Sequence, residues 1–166
     1  MTCGDGTLLD TSTGLMWEIT TGTIGTTLSR PALTDVNNLY TWVSTADVNF
    51  PYPPSGSLYS NFLDRLNSLS LGAAAACSGL AGYCDWRIPS INELRMIVSL
   101  TACAGGGSGS ACIDPSFGPT QASVYWSSSA YPAKPQYAWI VYFSDGSANA
   151  VLKNGHSSAR AVRGGR

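Results

Sequence analysis

The sequence predicts an α+β domain: two to three helices packed on a twisted antiparallel sheet, joined by long loops. Three observations predict it. Ser90 and Glu93 have the S-x-x-E spacing of a capping box and stand ahead of the apolar stripe Ile91, Leu94, Ile97 and Val98. From residue 122 onward the apolar period switches to two, and Asp145-Gly146 separates two such runs, a strong hairpin cue. Eighteen Gly, nine Pro and many Ser and Thr make the rest of the chain rich in loops.

The elements follow in order. Leu8-Leu9 and Leu15-Met16-Trp17 are short apolar runs separated by Asp10 to Gly14, a hairpin signature. Residues 20–33 are Thr- and Gly-rich and read as loop. Thr34 is placed to cap a helix with apolar positions Val36, Leu39, Tyr40 and Val43. Phe50 to Gly56 is irregular. A second helix carries Phe62, Leu63, Leu66 and Leu69 and ends near Gly72; the run from Gly72 to Cys77 reads as an inserted loop. Pro89 biases Ile88 to an extended conformation, so a short extended piece enters a helix over 91–100. Trp86 and Arg87, just before it, read as fold-building: an indole to fill the core and a guanidinium to hold loop carbonyls or a carboxylate. Four strands come last: Val124–Ser129, Ala138–Phe143, Ser147–Leu152 and Ala159–Arg163. In the second of these, alternation places Trp139, Val141 and Phe143 on the core face, and Ile140, Tyr142 and Ser144 outward.

At 166 residues the chain is most simply one domain, spanning 1–166 and long enough to bury a core. Charged residues are 11% and the net charge is −1, which argues against nucleic acid or an anionic membrane as partner. No apolar run is long enough to span a bilayer. The start, Met1-Thr2-Cys3-Gly4, is not a signal peptide, which leaves another secretion route, a segment of a longer protein, or an initially cytoplasmic chain. Of the five cysteines, Cys103 and Cys112 flank a glycine-rich loop, and Cys77 and Cys84 a shorter one. A zinc site prefers two-residue gaps and His partners, which are missing. The expected bonds are therefore Cys77–Cys84 and Cys103–Cys112, with Cys3 free or paired outside the chain, in an oxidising final environment.

Six motifs stand in order along the chain: Thr13-Gly14-Leu15-Met16-Trp17; Phe62-Leu63 with Leu66-Asn67; Gly82 through Leu94; Tyr125-Trp126-Ser127-Ser128-Ser129; Ala138 through Gly146; and Ala159 through Gly165. Together they resemble the bacterial and phage domain family typified by the C-terminal domain of a collagen-like adhesin. The resemblance covers nearly the whole chain and implies a C-type-lectin-like fold and a non-enzymatic recognition module, at the cell surface, outside the cell or on a phage particle. Some members are variable proteins of diversity-generating retroelements, in which adenine-directed mutagenesis rewrites surface codons. Changing both adenines of an AAC or AAT codon cannot produce Trp, Lys, Gln, Glu or Met. Trp126, Lys134, Gln136, Trp139 and Lys153 thus lie outside that code, whereas Ile140, Tyr142, Ser144, Ser147, Asn149, Val151, Asn154, His156, Ser157 and Ser158 lie within it. The adhesin-type member binds sulfated polysaccharide, which needs clustered cations; here Arg160 and Arg163 fall in the fold motif, leaving too few for a polyanion. Lys134-Pro135-Gln136 is not the calcium-dependent sugar motif, so no metal or cofactor is expected.

An enzyme of the formylglycine-generating type is a weaker alternative, because the cysteines look structural and nothing sets Asp145 or Asp114 against the lone His156. A structural trimerisation or capping end is another, which would give a homotrimer or an end piece of a longer chain. The favoured expectation is a module whose 136–158 strands and loops bind a protein or glycan on another cell. Its contact residues are Tyr137, Ile140, Tyr142, Ser144, Ser147, Asn149, Val151, Asn154, His156 and Ser157. Tyrosine supplies contact area with few rotors to freeze, and Ser and Asn supply adaptable hydrogen bonds.

Overall fold

The computed structural model describes residues 1–26, 32–47, 49, 51–68, 77–105 and 109–164. Two short strands, β1 (Thr7–Asp10) and β2 (Leu15–Glu18), form the expected first hairpin. Asp10 closes its turn by accepting from the Ser12 amide and from the Ser12 and Thr13 hydroxyls. Next comes the two-residue β3 (Tyr40–Thr41). A π-helical segment, Leu58–Leu63, runs on into an α-helical turn, Asp64–Leu66, and the two together are α1. Helices α2 (Ile91–Met96) and α3 (Leu100–Gly105) follow. The chain then makes β4 (Val124–Ala130), β5 (Tyr137–Tyr142), β6 (Ala148–Leu152), β7 (His156–Ser157) and β8 (Val162–Gly164). The α+β class is as the sequence predicts. Among the described residues the strands form three small sheets, ordered β1-β2-β8, β3-β7 and β4-β5-β6.

The capping box at Ser90 forms as read. The Ser90 hydroxyl accepts from the Glu93 amide at 3.3 Å, and the Glu93 carboxylate accepts from the Ser90 amide at 2.8 Å. The same carboxylate takes both arms of Arg87, at 2.6 and 2.8 Å. Arg163 grips Asp85 the same way and lies 3.6 Å from the Tyr83 ring centroid. Backbone bonds between Arg87 and Val162 join this turn to β8. Arg160, fully buried, donates to the Phe117 carbonyl and to the Thr20 and Thr120 hydroxyls, tying three loops together. Arg87, Arg160 and Arg163 are thus engaged in the frame.

Expectations for four elements are corrected. No helix forms at Thr34. The Asn37 and Asn38 side chains donate to the carbonyls of Thr23 and Ala32, offering the backbone a turn in place of a helix. Tyr40 then pairs with Ser157 as a strand. The helix expected over 91–100 stops at Met96, because Val98 leaves it for a bridge with Ile113 and Ser99 donates to the Cys112 carbonyl. The fourth late strand, expected over 159–163, is displaced to Val162–Gly164 and pairs with β2, away from the β4-β5-β6 sheet. The second helix, expected to end near Gly72, ends at Leu66, where Asn67 leaves the helix and its side chain pairs with the Trp86 backbone. Leu69 and the 72–76 run lie outside the described residues, as do parts of the expected loops at 20–33 and 104–111.

Both expected disulfides form, Cys77–Cys84 and Cys103–Cys112, and Cys3 is free and exposed.

The β4-β5-β6 sheet is a partition between two cores. On one side Trp126, Ala138 and Ile140 pack with Trp42, Leu58, Phe62 and Trp86. On the other, Tyr125, Val141 and Phe143 pack with Trp17, Leu94 and Ile113. β5 is the middle strand, and both Ile140 and Val141 are fully buried.

Candidate functional site

β5 and its edge neighbour β6 decide which side chains reach solvent. Cross-strand partners in an antiparallel pair lie on the same face. Ile140 opposite Asn149 and Ala138 opposite Val151 therefore share one face, with Tyr142 beside them. Trp139 opposite Ala150 and Tyr137 opposite Leu152 share the other. The alternation expected for β5 assumed one wet face. Because both faces are packed, Ile140 is not outward but sits at 0% exposure, and Trp139, expected in the core, is only half-buried, edge-on to Tyr131. Phe143 and Val141 are in the core as read.

The remaining expected contact residues divide by position. Tyr142 and Val151 are half-buried and pack against the Trp126 side, while Asn149 between them is exposed at the sheet edge. The Asn149 side chain accepts from the Ala150 amide at 2.8 Å. Since Asn149 and Ile140 occupy a paired ladder position, Ala150 directs its amide away from β5, and Asn149 thereby blunts the free edge. Ser144 and Ser147 are exposed in the β5-β6 turn, held by the Gly146 amide on the Tyr142 carbonyl and the Ser147 amide on Asp145. Gly146 is obligatory there: its φ is +76°, and an added Cβ would stand 2.7 Å from Val98.

At the far end of the sheet, Asn154 is exposed in the turn before β7, and His156 is exposed as the first residue of β7, paired with Thr41. Tyr137 is close to them in register but faces the opposite side, with the Lys134 ammonium 5.4 Å from its ring centroid. Ser157 pairs with Tyr40 and is buried at 5% exposure, so like Ile140 it has no free surface to offer.

The sequence reading missed a neighbouring cleft of about 160 Å³, lined by Val43, Tyr52, Gln136, Leu152, Lys153 and Asn154. Lys153 is its distinctive member: 3% exposed, its ammonium donating to the Tyr52 carbonyl at 3.2 Å and lying 4.0 Å from the Trp42 ring centroid. Burial pushes this ammonium below the usual lysine range. Sequence distance hides the cleft, because Val43 and Tyr52 reach it from loops a hundred residues upstream. The sequence offered only that Gln136 and Lys153 both fall outside the adenine-directed code; that they stand opposite each other just past the end of the β5-β6 ladder, where the Lys153 amide donates to the Gln136 carbonyl, is seen only in the structure.

Among the described residues no group of three or more His, Cys, Asp or Glu side chains is placed to hold a metal ion, and no helix is long and apolar enough to cross a membrane. No curated protein and no solved structure matches the chain. The model of the Lcl C-terminal domain family matches residues 6–163, almost the full length, and the chain belongs to that family of adhesin-type C-terminal domains.

Proposed function

We propose that this domain is a recognition module that binds a protein or glycan on another cell through the exposed parts of the 137–158 region. One observation carries the reading. Ser144, Ser147, Asn149, Asn154 and His156 stand exposed on strands and turns whose cohesion comes from Ile140, Val141 and Phe143 beneath them. Side chains in that position can differ without disturbing either core, which is what a binding surface under diversification requires. The residue types at these positions are all reachable when both adenines of an AAC or AAT codon are open to change. A reverse transcriptase gene and a near-copy of the codons for about residues 125–163 in the neighbouring DNA would establish diversification.

Membership in an adhesin-type family and the two disulfides support an extracellular or surface location and attachment to a longer chain. The contact set is Tyr137, Tyr142, Ser144, Ser147, Asn149, Val151, Asn154 and His156. Replacing both Tyr137 and Tyr142 by Ala is expected to abolish adhesion to target cells while lowering the melting temperature by roughly 5–15 °C, because both side chains are half-buried and Tyr142 packs against the Trp126 core. Retained adhesion by a folded double variant refutes the reading. A structural, trimer-forming role draws support from Met96 and Leu100, 58% and 61% exposed beside the α2-α3 break. It predicts a trimer by light scattering that Met96→Lys dissociates.

A further inference from the structure

A lysine ammonium taken out of water is costly unless an opposite charge or a full set of acceptors meets it. Lys153 is buried, yet among the described residues its ammonium has one acceptor, the Tyr52 carbonyl, and no carboxylate pairs with it. The Trp42 ring face takes a second direction. Among the described residues one of its three donors is left over. The Tyr52 carbonyl that positions the ammonium belongs to a residue at φ +55°, a left-handed conformation uncommon outside glycine and concentrated at functional sites. Both residues line the same open cleft. The walls are aliphatic at Val43 and Leu152, and the amide side chains of Gln136 and Asn154 complete the rim.

We propose that this cleft receives the carboxylate of an acidic side chain from a protein partner, with Lys153 supplying the opposite charge. The apolar walls suit the methylene stem of a glutamate, and Gln136 and Asn154 offer amide donors to the carboxylate oxygens. A volume of about 160 Å³ compares with roughly 30 Å³ per water in the liquid, enough for a carboxylate and its short stem. A sugar ring would want a broad aromatic floor and many hydroxyl partners, and a polyanion would want several cations where the cleft has one. The inference rests on the recognition reading above for who brings the carboxylate.

The test uses the 166-residue chain and no cognate partner. N-acetylglutamate N-methylamide is titrated at constant ionic strength while the amide NMR signals of Gln136, Lys153 and Asn154 are followed. Saturable shifts at millimolar concentration are expected, with the neutral N-acetylglutamine N-methylamide at least about tenfold weaker, as befits loss of a charge-assisted bond. Lys153→Met is expected to remove that preference. Should Lys153→Met fail to fold, Gln136→Ala is expected to weaken the glutamate probe severalfold, and the paired probes on the unaltered chain still separate a charged site from a neutral one. Equal binding of the two probes overturns the proposal, as does equal binding of sulfate, which would mark a simple anion site. Tighter binding of glucuronate overturns the protein partner in favour of an acidic glycan. Because cell adhesion of the Tyr137/Tyr142 variant is measured separately, the recognition reading and the carboxylate site can fail independently.

Discussion

Glu18 takes an ionisable carboxyl into full burial. One oxygen accepts from the Ala161 amide at 2.9 Å, and the other has no partner among the described residues. Burial pushes this carboxyl up from 4.5 to about 7, although the nearby Arg160 guanidinium pulls it down. Between those two values the folded protein holds a proton that the unfolded chain has released. Stability therefore falls as pH rises through this window and levels off above it. Glu93 has the opposite sign: its bonds to Arg87 hold it down at about 2, so its contribution is complete above 4.5 and is lost only in stronger acid. The melting temperature is accordingly expected to decline from pH 5 to pH 8, and Glu18→Gln to flatten that decline while Glu93 contributes nothing to it. A pH-independent melting temperature in the unaltered protein would contradict this account of Glu18. The Ser90–Glu93 box was legible because capping needs only local spacing. The burial of Glu18 was not, since its backbone hydrogen-bond donor Ala161 and its charge partner Arg160 come from the other end of the chain.

β5 shows how far alternation carries at the scale of an element. The run Ala138–Phe143 fixes the strand and nearly its ends, because β-branched and aromatic residues suit a pleated ribbon. Alternation yields the face assignment only when one face is wet, and a middle strand between two cores breaks that premise. Val141 and Phe143 are therefore read correctly and Ile140 is not. Replacing Ile140 by Ala is expected to destabilise by about 2–4 kcal/mol, the range for deleting a buried branched side chain. Asn149→Ala, directly across the ladder but exposed, should cost only about 0.5–1 kcal/mol. Chemical denaturation of both variants checks the pair, and comparable losses would mean that the edge position is as much a part of the frame as the middle one. The Thr34 helix failed for a related reason: the apolar spacing was right, but Asn37 and Asn38 bind neighbouring carbonyls and divert the backbone before packing can choose.

At the scale of the molecule, the two disulfides reinforce parts of the frame that differ in access. Each closes a short loop, with sequence separations of 7 and 9, and on chain entropy alone is worth about 2.5 kcal/mol. The surroundings are unequal. Cys77 is exposed and Cys84 half-buried, at the margin of the turn that carries Trp86. Cys112 is fully buried, its amide donating to the Phe143 carbonyl and its own carbonyl accepting from Ser99. Thiol–disulfide exchange needs a thiolate to reach a sulfur, so access sets the order of opening. Cys103 is half-buried, so the second bond is reached from one side only, whereas the first offers the exposed Cys77; in the native protein a graded reductant is expected to expose Cys77 and Cys84 to alkylation before Cys103 and Cys112. Peptide mass spectrometry of the labelled protein reads that order directly. Losing the first bond should lower the melting temperature by about 5–10 °C, from the usual 2–4 °C per kcal/mol in a chain of this length. It should leave the β4-β5-β6 partition, and hence the candidate binding surface, in place. Simultaneous labelling of all four cysteines would instead show that the 77–84 turn and the Cys112 side of the sheet open as one cooperative unit, and the surface could not then be treated as separable from the loops around it.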